Sequence, residues 1–342
     1  MRGRTSLALV LVVLLLLPVI SGCKPEVVKE TVIVEKPVKE TVVVQEVVTA
    51  TPLPPTPVPP PPTIRMYFVP SGEADTVLAS GDKIAAMLEE RTGYEFETAV
   101  PTSYAAVIEA LCTGKADVAW LATFAYVLAN EKCGVEAKLT TVRYGSSTYT
   151  AEIIAQSDAV RAERGLDPIN SLDDLNGKTF AFTDPLSTSG YLFARAMLED
   201  AGVELAESLF AGGHPQAVLA VYNGDVDAGA CYWSPIRPDG SIGDARRTAR
   251  ESYPDVAEKV KIVQLSAPIP NDTVSFRADL PEDVKDKLIA AILAMTKTDE
   301  GVEVLGELYN ITGLVPASDA DYDVVRKMGD LLGFDFEKAL ED

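Results

Sequence analysis

Two rhythms of apolar and polar positions interleave along the chain. Short, mostly apolar runs predict buried strands, while apolar residues recurring every three to four positions predict helices that pack on one face. In order, 64–69 is expected as a strand, 75–92 as a helix, 94–99 as a strand, 103–112 as a helix, 118–121 as a strand and 123–131 as a helix. The alternation returns with 179–183 and 228–232 as strands and with 189–201 and 215–223 as helices. Such alternation is the mark of an α/β architecture. Two stretches also match in plan: 108–120 and 218–233 each run from a helix through a glycine (Gly114, Gly224) and an aspartate (Asp117, Asp227) into a strand. Two lobes are therefore expected, each with a mostly parallel sheet flanked by helices.

The ends of the pattern carry different information. Arg2 and Arg4 precede an apolar run over 7–20 that closes on Ser21-Gly22-Cys23. The run is shorter than the ~20 residues a spanning helix needs and reads as a signal peptide over 1–22. Ile20-Ser21-Gly22-Cys23 resembles a bacterial lipobox, whose cysteine takes a diacylglycerol and becomes the first mature residue. From 23 to 63, Val28-Lys29-Glu30-Thr31-Val32 recurs as Val38-Lys39-Glu40-Thr41-Val42, and eight of the thirteen residues from 51 to 63 are proline. Low complexity followed by a polyproline tract predicts a stalk, long enough at ~3.1 Å per extended residue to hold a domain ~100 Å from its lipid. The expected location is the outer face of the cytoplasmic membrane.

Composition narrows the function. With 30 Lys plus Arg against 51 Asp plus Glu, the net charge is -21, a balance that repels phosphate backbones and speaks against nucleic acid. One histidine and four dispersed cysteines argue against zinc or haem, and no cofactor or metal is expected. Cys112 ends one helix and Cys133 follows another, and both helices flank one strand, so a Cys112–Cys133 disulfide is expected, with Cys231 unpaired in a buried strand.

In open parallel sheets, ligands sit beyond the carboxyl ends of the strands, where the next helices point their N-termini. Asp117 and Asp227 start their strands and are read as structural. The better candidates are Ser103-Tyr104, Thr123, Ser187-Thr188-Ser189 and His214. Thr183-Asp184-Pro185-Leu186-Ser187-Thr188-Ser189-Gly190-Tyr191 lies between a strand and a helix. One serine would suffice as a cap, whereas three hydroxyls before Gly190 suit an oxyanion cradle. His214, before Pro215, holds a similar position on the next helix.

These residues resemble the phosphate, phosphite and phosphonate substrate-binding proteins of ABC transporters, which have the two-lobed type II periplasmic-binding fold. The resemblance is carried by Tyr104-Ala105-Ala106-Val107-Ile108, Gly114-Lys115-Ala116-Asp117, the cradle, Gly213-His214, and Ile269-Pro270-Asn271-Asp272. It implies lobe 1 over 64–153 and 266–342, lobe 2 over 154–265, and two crossing strands between them. It also implies oxyanion contacts from Tyr104, Tyr149, Ser187, Thr188, Ser189, His214 and Asp272, with no Lys or Arg among the donors. Where aminophosphonate binders place an acidic residue, this chain has Ser234 beside Tyr232 and Trp233. A second candidate pocket comprises Trp120, Thr123, Tyr126, Tyr232, Trp233 and Ser234. The implied partners are a membrane permease and its ATPase, and the chain is expected as a monomer. Three other readings stay open: a binder of sulfonate, nitrate or a thiamine precursor on the same fold, a displayed scaffold or sensor domain, and an enzyme built on Ser187, His214 and Asp272.

Overall fold

The computed structural model describes residues 62–237 and 239–333. The expected signal peptide, Cys23 and the stalk as far as residue 61 lie outside the described residues. The strands, in chain order, are β1 (Thr63–Phe68), β2 (Glu95–Ala99), β3 (Val118–Leu121), β4 (Glu136–Val142), β5 (Thr148–Gln156) and β6 (Thr179–Phe182), then β7 (Glu207–Phe210), β8 (Ala228–Trp233), β9 (Val260–Leu265), β10 (Ile269–Pro270), β11 (Thr273–Phe276) and β12 (Gly313–Pro316). The helices are α1 (Ala74–Thr92), α2 (Tyr104–Cys112), α3 (Thr123–Cys133), α4 (Asp158–Glu163) and α5 (Phe193–Asp200), then α6 (His214–Asn223), α7 (Val256–Lys259), α8 (Glu282–Met295), α9 (Asp299–Tyr309) and α10 (Asp323–Leu331).

Two sheets form, with orders β12-β4-β11-β3-β1-β2 and β10-β5-β8-β6-β7, and β9 pairs with the far side of β5. Parallel pairing is confined to β2-β1-β3 and to β7-β6-β8. The other pairings are antiparallel. The sheets are thus mixed, which corrects the expectation of mostly parallel ones. Strands joined by a covering helix return parallel, whereas those that carry the chain between lobes enter the next sheet in the opposite sense. β4 pairs in the first sheet, and β5 and β10 pair in the second, so the chain changes sheet at 143–147 and returns at 271–272. The expected boundary after Ile153 falls inside β5.

Burial follows the pattern that marked the elements. On α1, Val77, Ile84, Ala85 and Leu88 are buried on one stripe. Gly81 completes it, because a Cβ there would come within 2.6 Å of the Phe68 ring. One face of the first sheet packs Met66, Phe68 and Trp120 against Leu288, Ile292, Leu305 and Leu308 of α8 and α9. The other face packs under α2 and α3, and this cluster also takes in Leu186, Leu192 and Phe193 from the second lobe. Apolar packing therefore continues across the cleft.

Asp117 and Asp227 repeat one device. Asp117 accepts from the Arg65 backbone N–H at 2.8 Å and from the guanidinium groups of Arg65 and Arg277. Asp227 accepts from the Thr179 backbone N–H at 3.1 Å and from Arg161. Each ties the start of its strand to its parallel neighbour, away from the cleft. Cys112 and Cys133 are joined in a disulfide with Cα atoms 5.5 Å apart, and Cys231 is free and buried. Among the described residues, no helix is long and apolar enough to cross a membrane.

Candidate functional site

The cavity between the lobes is assembled from helix starts and crossing strands. Its lining includes Tyr104, Tyr149, Ser187, Ser189, His214 and Asp272, six of the seven residues implied as oxyanion contacts. The space within measures about 50 Å³, room for on the order of four waters at ~10–15 Å³ each. That is the scale of one tetrahedral oxyanion with a small substituent.

The cradle explains its own sequence. Ser187 caps a turn of π-helix over Thr188–Leu192 that runs into α5, and its Oγ accepts from the Gly190 N–H at 3.1 Å. Only glycine fits at 190, since a Cβ would lie 1.9 Å from Thr183 Oγ1. Tyr104 and His214 are the first residues of α2 and α6. Three element starts thus bring opening N–H groups, which lack intrahelical acceptors, around one cavity. His214 is buried, its Nδ1 has no partner, and its ring meets Tyr232 edge-on at 4.8 Å. Burial, and secondarily Arg143, pulls its pKa down to about 3. The imidazole is therefore neutral near pH 7 and can give one hydrogen bond. Burial first, then the Asp272 carboxylate, pushes the Tyr149 phenol up, so it too stays protonated. Tyr104 is raised in the same way, by burial and then by Asp184.

Thr188 departs from its expected role. Its Oγ1 accepts from the Phe124 N–H at 2.8 Å and from the Thr123 hydroxyl at 3.0 Å, and it is absent from the cavity lining. It joins the cradle to the N-terminus of α3 across the two lobes. Beside it the Tyr104 N–H reaches Asp184 Oδ2 at 3.4 Å.

The expectation of a site without Lys or Arg is overturned. Arg143 and Arg247 both line the cavity. Arg143 is buried, donates from Nε to the Tyr309 carbonyl at 2.9 Å, pairs with Asp272 and lies 5.3 Å over the Tyr149 ring. Burial works to lower its pKa, and Asp272 outweighs it and leaves it raised. Arg247 donates from Nε to the Tyr232 hydroxyl at 3.2 Å. Neither arginine had a sequence signal. Arg143 sits in the turn after β4, and Arg247 is one of three arginines in Arg246-Arg247-Thr248-Ala249-Arg250.

The second candidate pocket does not gather. Trp120 packs in the first lobe's core, 6.1 Å from Phe68. The Tyr126 hydroxyl donates to Asp319 at 2.6 Å, and Thr123 belongs to the Thr188 contact. Tyr232 alone of the six lines the cavity, and Trp233 and Ser234 lie beyond its lining. Among the described residues no hydrogen bond joins Ser187, His214 and Asp272 to one another. The Ser187 Oγ meets Gly190, the His214 Nδ1 meets nothing, and Asp272 is held by Arg143. Among the described residues no cluster of His, Cys, Asp and Glu could hold a metal ion.

A family model described as the periplasmic phosphonate substrate-binding protein of an ABC transporter matches residues 66–322. The chain is 31% identical over 292 residues, 79% of its length and 86% of the relative's, to the phosphate-import protein PhnD of Mycolicibacterium smegmatis. Among solved structures, a binding protein component of an ABC phosphonate transporter from Pseudomonas aeruginosa superposes with a TM-score of 0.69 at 22% identity, over 82% of this chain and 89% of that one. PhnD1 from Prochlorococcus marinus, in complex with methylphosphonate, superposes with a TM-score of 0.67 at 18% identity, over 80% of this chain and 99% of that one. Both likenesses share the two-lobed fold. The chain belongs to the family of periplasmic phosphonate substrate-binding proteins of ABC transporters.

Proposed function

We propose that the chain captures a small phosphorus oxyanion, phosphonate, phosphite or phosphate, between its lobes and hands it to a membrane permease driven by its ATPase. The observation that carries this is the convergence of Ser187, Ser189, His214, Tyr104, Tyr149 and Arg143 on a cavity of about 50 Å³. Hydroxyls, helix-start N–H groups, a neutral imidazole and one guanidinium can satisfy up to three phosphorus oxygens. Asp272 uses Oδ2 on Arg143 and keeps Oδ1 to accept from a P–OH group. Sulfate has no such proton at neutral pH, and meets that carboxylate without a compensating hydrogen bond. The phosphate-import relative and the methylphosphonate complex are consistent with this ligand class.

The test is a pair of variants. Ser189→Ala should weaken binding of the preferred phosphorus oxyanion at least ~tenfold with little change in stability, because a hydrogen bond to a charged group contributes ~1.5–3 kcal/mol. Ser187→Ala should weaken it and also destabilise the fold by ~1 kcal/mol through the lost cap. Unchanged affinity in both would refute the cradle. Lipid attachment at Cys23 completes the proposal. Cys23→Ser should move the protein from the membrane fraction to the soluble one, and continued membrane retention would contradict it.

A further inference from the structure

We propose that Arg247 is a charge filter, so that the site admits phosphorus oxyanions with a small neutral or anionic substituent and rejects those bearing an ammonium group. The proposal rests on the phosphorus-oxyanion reading above and names the ligand class within it. Of the ionisable side chains that line the cavity, Asp272 is neutralised by Arg143, and His214 and the tyrosines are uncharged. Arg247 is left as the one uncompensated charge. Among the described residues its guanidinium meets no carboxylate, and its partner is the Tyr232 hydroxyl.

Its segment is held firmly. Asp244 caps the turn over Ala245–Ala249, pairs with Arg246 at 2.8 Å, and Ala245 and Ala249 are buried. Arg247 also borders a wider groove outside the cavity, whose walls include Asp75, Asp239 and Glu303 beside Lys83 and Arg237. Those mixed charges would not turn a cation away, so the discrimination falls to Arg247 at the threshold. In about 50 Å³ an ammonium two or three bonds from phosphorus has no position remote from Arg247. Repulsion of this kind is how a site discriminates by penalising the wrong ligand.

Calorimetric titration of the ligand-stripped full chain with methylphosphonate, phosphonoacetate and 2-aminoethylphosphonate tests this. Wild type should bind methylphosphonate at least ~tenfold more tightly than 2-aminoethylphosphonate, as one uncompensated like charge at close range requires. Arg247→Gln should narrow that ratio, and Arg247→Glu should close or reverse it, whatever either substitution does to the absolute affinity for methylphosphonate. Equal affinity of wild type for the two ligands, or a ratio unmoved by either substitution, would overturn the filter while leaving the oxyanion site in place. If wild type binds none of the three nor phosphate, the proposed function itself fails, and the filter with it.

Discussion

At the scale of single residues, two buried ionisable groups should give the protein opposite responses to pH. His214 is neutral when folded, with its pKa lowered to about 3 by burial and by Arg143. In the unfolded chain it titrates near ~6.5. As pH falls from about 6.5 toward 3, the unfolded state gains a proton that the folded state refuses, and stability drops. His214→Gln should flatten denaturant-measured stability of the ligand-free protein across that window, and an unchanged slope would show the imidazole to be hydrated. Glu152 in β5 is fully buried, and burial together with Asp244 pushes its carboxyl well above the usual range. Here the folded state keeps a proton that the unfolded state releases above ~4.3, so stability is lost as pH rises through that value. Glu152→Gln should therefore stabilise the protein more at pH 8 than at pH 5, and a uniform effect would contradict the assignment. The hydroxyl cradle was legible because three consecutive Ser and Thr residues before glycine exceed the needs of a cap. Arg143 and Arg247 were not, since an arginine in a turn usually faces solvent and only tertiary packing brings these two inward.

Elements explain how the lobes meet. The turn over Thr188–Leu192 contributes Ser187 and Ser189 to the cavity wall, while Thr188 crosses to the Phe124 N–H and the Thr123 hydroxyl. Thr188→Val keeps the shape and removes the acceptor, stranding a buried N–H at a cost of ~1–3 kcal/mol wherever the lobes meet in this way. Ligand affinity should fall ~5-fold or more. Full affinity would show that the contact does not support closure. On the other side of the cleft Asn310, at the C-terminus of α9, donates to the Gly243 carbonyl at 3.0 Å and accepts from Arg237, a second contact between lobes. The alternation of strand and helix predicted β1, β3, β6 and β8 and their helices closely, because each is a buried run with a strong period. β7 left no such trace, as all four of its residues are exposed. The mixed sheets were hidden for another reason: strand direction depends on where the crossing segments enter, and hydrophobic period carries no sign of direction.

For the described residues, two α/β lobes, two crossings and a small cavity between the lobes suit a receptor whose ligand is gripped from both sides. The acidic surface is compatible with an anionic cargo because the preoriented donors lie at contact distance, while surface charges are screened over ~8 Å at physiological salt. Cys112–Cys133 closes α2 onto α3, the two helices whose N-termini supply Tyr104 to the cavity and Thr123 to the contact between lobes. The fold's two-lobed plan could be read from sequence through local motifs, and six of the residues singled out there line the cavity. The charge inside the cleft could not, since it arises from residues 104 positions apart. The most direct measurement is calorimetric titration of the ligand-stripped full chain with phosphite, methylphosphonate, phosphate and sulfate at neutral pH. Micromolar or tighter binding of at least one phosphorus oxyanion, with sulfate giving no heat, is the expected result. Silence toward all three phosphorus oxyanions, or sulfate bound as tightly as the best of them, would contradict the assignment of this cavity as a phosphorus-oxyanion site.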